Sequence, residues 1–180
     1  MSLTHERTAA RRAEFDRIFA EFSVPIFNFA LHMVGDADRA ADIAQDTFIK
    51  AFRKLDTLAS ATSTRAWIYR IATNTAIDDM RRRRHLTRLP NEEGHPFQPA
   101  DPGPGPEAQA MGGVLDERID RALLRLRPNH RQCLLLSDLE QMNAQQIGDV
   151  MGMSPGAVRV LLCRVRGEMR RHLAAEGLTR

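Results

Sequence analysis

This chain of 180 residues has two cysteines, two lysines and no long apolar run. Cys133 and Cys163 are too few for a disulfide framework and offer no CxxC spacing for zinc or thioredoxin-type chemistry, which fits a reducing compartment. Both are expected as core thiols. No apolar stretch approaches the ~20 residues of a membrane span, and Met1 to Arg12 lacks the apolar segment of a signal peptide, so the expected location is the cytoplasm. No segment alternates with period two, which argues against a sheet. There is no Gly-rich phosphate loop or nucleophile elbow, and the histidines at 5, 32, 85, 95, 130 and 172 form no ligand spacing. An enzyme and a metal site are therefore not expected.

What is present is arginine. Of 26 basic residues only Lys50 and Lys54 are lysines, and the guanidinium fork suits phosphates and guanine edges, although a GC-rich genome would also enrich arginine. The net charge of +3 hides its distribution. Residues 1–89 carry 15 basic and 11 acidic groups, residues 90–112 carry four acidic and no basic ones, and residues 113–180 carry 11 and 8. The middle segment is rich in proline and glycine and holds no regular element, so it reads as an extended linker and a domain boundary.

Outside the linker the apolar periodicity is helical throughout. Phe15, Ile18, Phe19, Phe22, Ile26 and Phe29 mark one helix, with a kink or break expected at Pro25. A second, capped by Asp36, carries Ala40, Ile43, Ala44, Thr47, Phe48, Ala51, Phe52 and Leu55. After a polar loop at 56–63 a third begins with Thr64 as its cap and runs to the charged stretch Arg81–Arg84. Beyond the linker, Leu115, Ile119, Ala122, Leu123 and Leu126 define a fourth, and Pro128 opens another through Leu139. The expected fold is all-α: two small helical domains, 1–89 and 113–180, joined by a flexible linker at 90–112.

The last two elements form a helix-turn-helix pattern. Asn143 caps a short helix, Gly152 and Met153 make the turn, and Ser154-Pro155 starts a long helix to about Ala175. In that motif the second helix enters the major groove by its N-terminal half. Val158, Leu161, Leu162 and Val165 are expected inward, and Arg159, Cys163, Arg166 and Arg170 on another face with Arg164 at its flank.

The segment TRAWIYRIATNTAIDDMRRRR, 64–84, combines rings, hydroxyls and an asparagine with four consecutive arginines, as a single-stranded nucleic-acid surface requires. For Trp67 alone the core reading is the stronger, and the arginines also read as a solvated helix end. In the preceding helix Asp42, Gln45 and Asp46 form a polar patch on an apolar element, better read as a protein-docking surface than as paired catalytic carboxylates.

Together these stretches resemble a bacterial RNA polymerase sigma factor of the extracytoplasmic-function group, carried by GDADRAADIAQDTFIKAF (35–52), WIYRIATNTAIDDMRRRR (67–84), residues 123–173 and the linker between. The resemblance implies that Asp42, Gln45, Asp46 and Phe48 dock on core RNA polymerase. It also implies that Trp67, Arg70, Asn74, Asp78, Arg81, Arg82, Arg83 and Arg84 melt and read the −10 element. The loop 56–63 would then hold a flipped base. Ser154, Arg159, Val160, Cys163, Arg164 and Arg166 would meet the −35 element, Val160 through apolar contact with a thymine methyl.

Gln146 and Gly148 depart from the acidic residue and alanine usual in the family. The implied partners are core polymerase, promoter DNA and an anti-sigma factor. Glu92, Glu93, Asp101 and Glu107 of the linker would follow the polymerase channel as a nucleic-acid mimic. The competing reading is a stand-alone helix-turn-helix regulator, which explains 113–180 but neither 35–52 nor 64–84.

Overall fold

The computed structural model describes residues 2–60, 63–86 and 117–178, with side chains for 7–58, 63–84 and 117–178. The linker at 90–112 with its four acidic residues, and Leu115, lie outside these residues. Those described form helices α1 (Ser2–Val34), α2 (Ala37–Arg53) and α3 (Thr64–Leu86), then α4 (Glu117–Arg125), α5 (Pro128–Leu134), α6 (Ala144–Met151) and α7 (Pro155–Ala175). No strand occurs among the described residues, and none of the helices is long and apolar enough to cross a membrane.

α1 continues through Pro25 instead of breaking there. The ring removes one hydrogen bond to the carbonyl of Glu21, four residues earlier, and that residue is exposed, so water can take the place of the missing donor. Its inner face, Ile18, Phe22, Ile26 and Phe29, packs on α2 and α3. The ring of Phe29 meets Tyr69 edge-on at 5.4 Å between centroids. Asp36 caps α2 by accepting from the Arg39 amide at 2.9 Å. The guanidinium of Arg39 reaches across to Asp79 on α3 at 2.6 Å.

Two local expectations change. The polar loop begins with a 3₁₀ turn, Leu55–Ser60, and the cap of α3 is Ser63, whose Oγ accepts from the Ala66 amide at 3.1 Å. Thr64 is the first residue of the helix itself. In the C-terminal block the helix opened by Pro128 gives way at Leu135 to a wider π turn, Leu135–Leu139. Gln141 follows at φ 53°, a left-handed conformation supported by its Nε2 donating to the Asp138 carbonyl at 2.7 Å.

α4 to α7 enclose an aliphatic core of Leu126, Leu136, Ile147, Val158 and Val165. The two blocks touch: α3 packs on α6, and α1 on α4 and α5. Buried Arg131 ties them, donating to the carbonyl of Met33 in the first block and to those of Leu123, Leu124 and Leu126 in its own. Burial, with the charges of Arg39 and Arg84, lowers its pKa to about 10. Gly35, at φ 70°, closes α1 where the blocks approach, and a Cβ there would stand 2.6 Å from Leu124 Cδ1.

Candidate polymerase and promoter interface

α2 turns Ile43, Thr47 and Ala51 inward and leaves Asp42, Gln45 and Asp46 exposed. Phe48 is buried but forms part of the wall of an apolar groove of about 630 Å³ between α1 and α2, with Phe15, Phe19, Val24, Phe27 and Ile49. Phe19 and Phe52, assigned to apolar stripes by periodicity, stay 48% and 44% exposed. Exposed rings beside exposed carboxylates make this a candidate protein-docking surface, because such an apolar face gains by being covered.

On α3 every fourth exposed position carries a polar group: Arg70, Asn74 and Asp78, followed by Arg81, Arg82, Arg83 and Arg84. Trp67 lies in the core. Its ring is buried and its Nε1 donates to Thr57 Oγ1 at 3.0 Å, so in this arrangement it anchors α3 to the 3₁₀ turn. Lys50 reaches Thr75 at 3.0 Å and fixes α2 against the same helix. Asp79, engaged by Arg39, serves structure.

The helix-turn-helix is built from its caps. Asn143 Oδ1 accepts from the Gln146 amide while Gln146 Oε1 accepts from the Asn143 amide, both at 3.0 Å, a reciprocal box that glutamine supplies as well as an acidic residue. Gly152, at φ 68°, lets the chain reverse, and the Met153 amide returns to the Gly148 carbonyl at 3.0 Å. A Cβ on Gly148 would meet the Met153 carbonyl at 2.5 Å. The departure from alanine is therefore a requirement of this turn. Ser154 Oγ then accepts from the Ala157 amide at 3.2 Å and starts α7.

α7 buries Val158, Leu162, Val165 and Met169 and presents Arg159, Val160, Cys163 and Arg164 on one open face. Val160 is 63% exposed on that face. Cys163 corrects the expectation of two core thiols: it is exposed, whereas Cys133 is buried and its thiol is pushed up to about 11 by desolvation. Arg166 departs from the reading face. It donates to Asp138 at 2.6 Å and to Ser137 at 3.1 Å, and its bond to Asp138 raises its pKa.

Periodicity missed a second apolar groove, about 440 Å³, lined by Ile119, Leu123, Leu135, Leu139, Met169 and Leu173. The run Leu134-Leu135-Leu136 with Leu139 was its signal, inside the helix expected from Pro128 through Leu139. The π turn rotates Leu139 outward.

Residues 18–86 match the family described as Sigma-70 region 2, and residues 116–169 match Sigma-70, region 4. The chain is 31% identical over 146 residues to the RNA polymerase sigma factor CarQ of Myxococcus xanthus, covering 81% of each protein. It is 27% identical to the RNA polymerase sigma factor YlaC of Bacillus subtilis, over 90% of this chain and 93% of that one. The fold is similar to that of the sigma factor RpoE of Bartonella quintana, solved with the anti-sigma factor NepR, at a TM-score of 0.72 and 22% identity, over 89% of this chain and 97% of that one. An exposed helix-turn-helix face and a second all-helical block with a polar reading stripe define a sigma-70 family protein, and this chain belongs to that family. Within it the chain is an extracytoplasmic-function sigma factor, built from regions 2 and 4.

Proposed function

We propose that this protein binds core RNA polymerase and directs promoter-specific transcription initiation, with α2 on the polymerase, α3 on the −10 element and α7 on the −35 element. The observation that carries the reading is one chain presenting two separate nucleic-acid faces. These are the stripe from Arg70 to Arg84 and the face Arg159, Val160, Cys163 and Arg164, and neither contains an exposed catalytic constellation. Asp42, Gln45, Asp46 and the groove wall at Phe48 give the polymerase a mixed acidic and apolar surface. Arg159 reads a base edge, Val160 meets a thymine methyl, and Ser154 and Arg164 hold phosphates. Arg166 joins them only by leaving Asp138.

The chain performs no chemistry of its own in this reading and acts in the cytoplasm, where the polymerase is. RpoE was solved with an anti-sigma factor. An anti-sigma protein is the corresponding regulator here, and the two apolar grooves are the surfaces its helices would fill. Purified core enzyme tests the proposal. Stoichiometric co-purification and promoter-dependent transcripts that require this protein are expected, and duplex binding without either would restore the stand-alone regulator.

A further inference from the structure

Glu140 is a carboxylate buried at the boundary between the two blocks, and its partners come from across that boundary. The Tyr69 hydroxyl donates to its Oε2, and Arg65 donates to its backbone carbonyl and lies 3.4 Å from the same carboxylate oxygen. The guanidinium of Arg65 also sits over the Tyr69 ring, 5.9 Å from its centroid. Tyr69 is fully buried, and burial together with the Glu140 charge keeps its hydroxyl protonated, so it acts as a donor. Two further links cross the boundary: buried His32 Nδ1 lies 2.9 Å from half-buried Asp120, and buried Arg131 reaches the Met33 carbonyl. Surface contact between tethered domains does not need buried, fully matched polar groups, because each costs free energy unless its partner is in place. Here the matching exists only when the blocks are together.

The closed form conflicts with promoter recognition. Elements named −10 and −35 lie roughly 25 base pairs apart, about 85 Å along the duplex at ~3.4 Å per pair. The longest described helix, α1 with 33 residues, is about 50 Å long, so two blocks packed together fall short of that distance. Part of the polar stripe on α3, although exposed, also borders the second block. Asn74, Arg81 and Arg84 line a cleft of about 1000 Å³ whose opposite wall carries Arg125, Arg127 and His130 and no carboxylate. Residues 87–116 span at most about 100 Å when fully extended, which is enough to let the blocks separate to the promoter distance.

We infer that this sigma factor closes on itself without a partner, through a latch of Glu140 on Tyr69 and Arg65, and that promoter recognition requires the latch to open. The inference rests on the promoter-reading proposal above. Small-angle X-ray scattering of the free, entire chain tests it, beside Glu140→Arg and the milder Arg65→Ala, which removes a partly exposed side chain. Circular dichroism reports that each remains folded. Wild type should give the radius of gyration of the closed form, and both variants should exceed it by several ångströms. At limiting protein over core polymerase, the variants should give severalfold more initiated transcript than wild type.

An extended wild-type chain would overturn the inference, and so would folded variants that stay as compact as wild type. Expansion with no gain in transcript would overturn the inhibitory role. If neither wild type nor variants support promoter-dependent transcription, the proposed function falls instead, and scattering still decides whether the latch exists.

Discussion

The two blocks solve the same problem, presenting the helix proposed to meet nucleic acid, with different materials. Every phenylalanine, tyrosine and tryptophan of the chain lies before residue 98, so the C-terminal block has none of these rings. In the first block α3 is half core: Trp67, Ile68, Tyr69, Ala72 and Ala76 are buried among the rings of α1, and only a polar stripe faces outward. Its reading surface is held by bulk. In the second block the core is aliphatic, and α7 is aimed by the caps at Asn143 and Ser154 and the turn at Gly152. Its reading surface is held by backbone geometry, so damage to each block should show a different signature.

The sharpest test of that contrast is Phe29→Ala. Losing a fully buried ring should destabilise the first block by about 3–5 kcal/mol. The single tryptophan, Trp67, reports that block alone, while circular dichroism follows both. If the bonds through Glu140 and Arg131 couple the blocks, the two signals shift together; a fluorescence transition that moves alone would separate them.

Next in size is a pair of contrasts on the two nucleic-acid faces. Arg159→Ala should cost about 1–3 kcal/mol and relax preference at one −35 base pair, scored on a promoter library. Neutralising Arg81 to Arg84 should weaken binding on every sequence and flatten its salt dependence, by up to ~0.9 in slope for each phosphate that no longer meets a cation. A uniform loss for Arg159→Ala would assign it to phosphate, and an unchanged slope would leave the four arginines as solvated surface.

Ser154→Ala removes the cap that starts α7 and should cost about 1 kcal/mol, read by chemical denaturation. Because the cap also aims the helix, −35 affinity should fall while −10 binding does not, and equal losses would erase the distinction between the blocks. The smallest effect concerns acid. Glu168 on α7 accepts from His130 on α5 at 2.7 Å, and this bond holds its carboxyl below the usual range. A carboxyl lowered on folding adds stability that is complete above its unfolded pKa and is lost as pH falls through the folded one. Glu168→Gln should therefore trim the acid limb of the C-terminal block by less than about 1 kcal/mol and leave Trp67 fluorescence unchanged.

Much of this was legible beforehand because caps and periodicity are local. Asp36, Asn143, Gly152 and Ser154 act within a few residues of themselves, and each behaves as its type and position imply. Cys163 left its expected place in the core for a non-local reason. Whether a side chain at a given point on a helix is covered depends on which neighbour lies there, and composition carries no record of that. Pro25 misled in the same way, since a lost hydrogen bond breaks a helix only where nothing compensates for it.

The sequence by itself determined the helices, the caps at Asp36, Asn143 and Ser154, the turn between α6 and α7 and the family, because these follow from short-range backbone chemistry and ordered motifs. Tertiary structure decided the partners of Arg131, Glu140 and Arg166, the two apolar grooves and the closing of one block on the other. Each depends on residues from 28 to 98 positions apart meeting in space. Burial turns such meetings into obligations: a guanidinium or carboxylate removed from water must find its counterpart, wherever in the chain that lies.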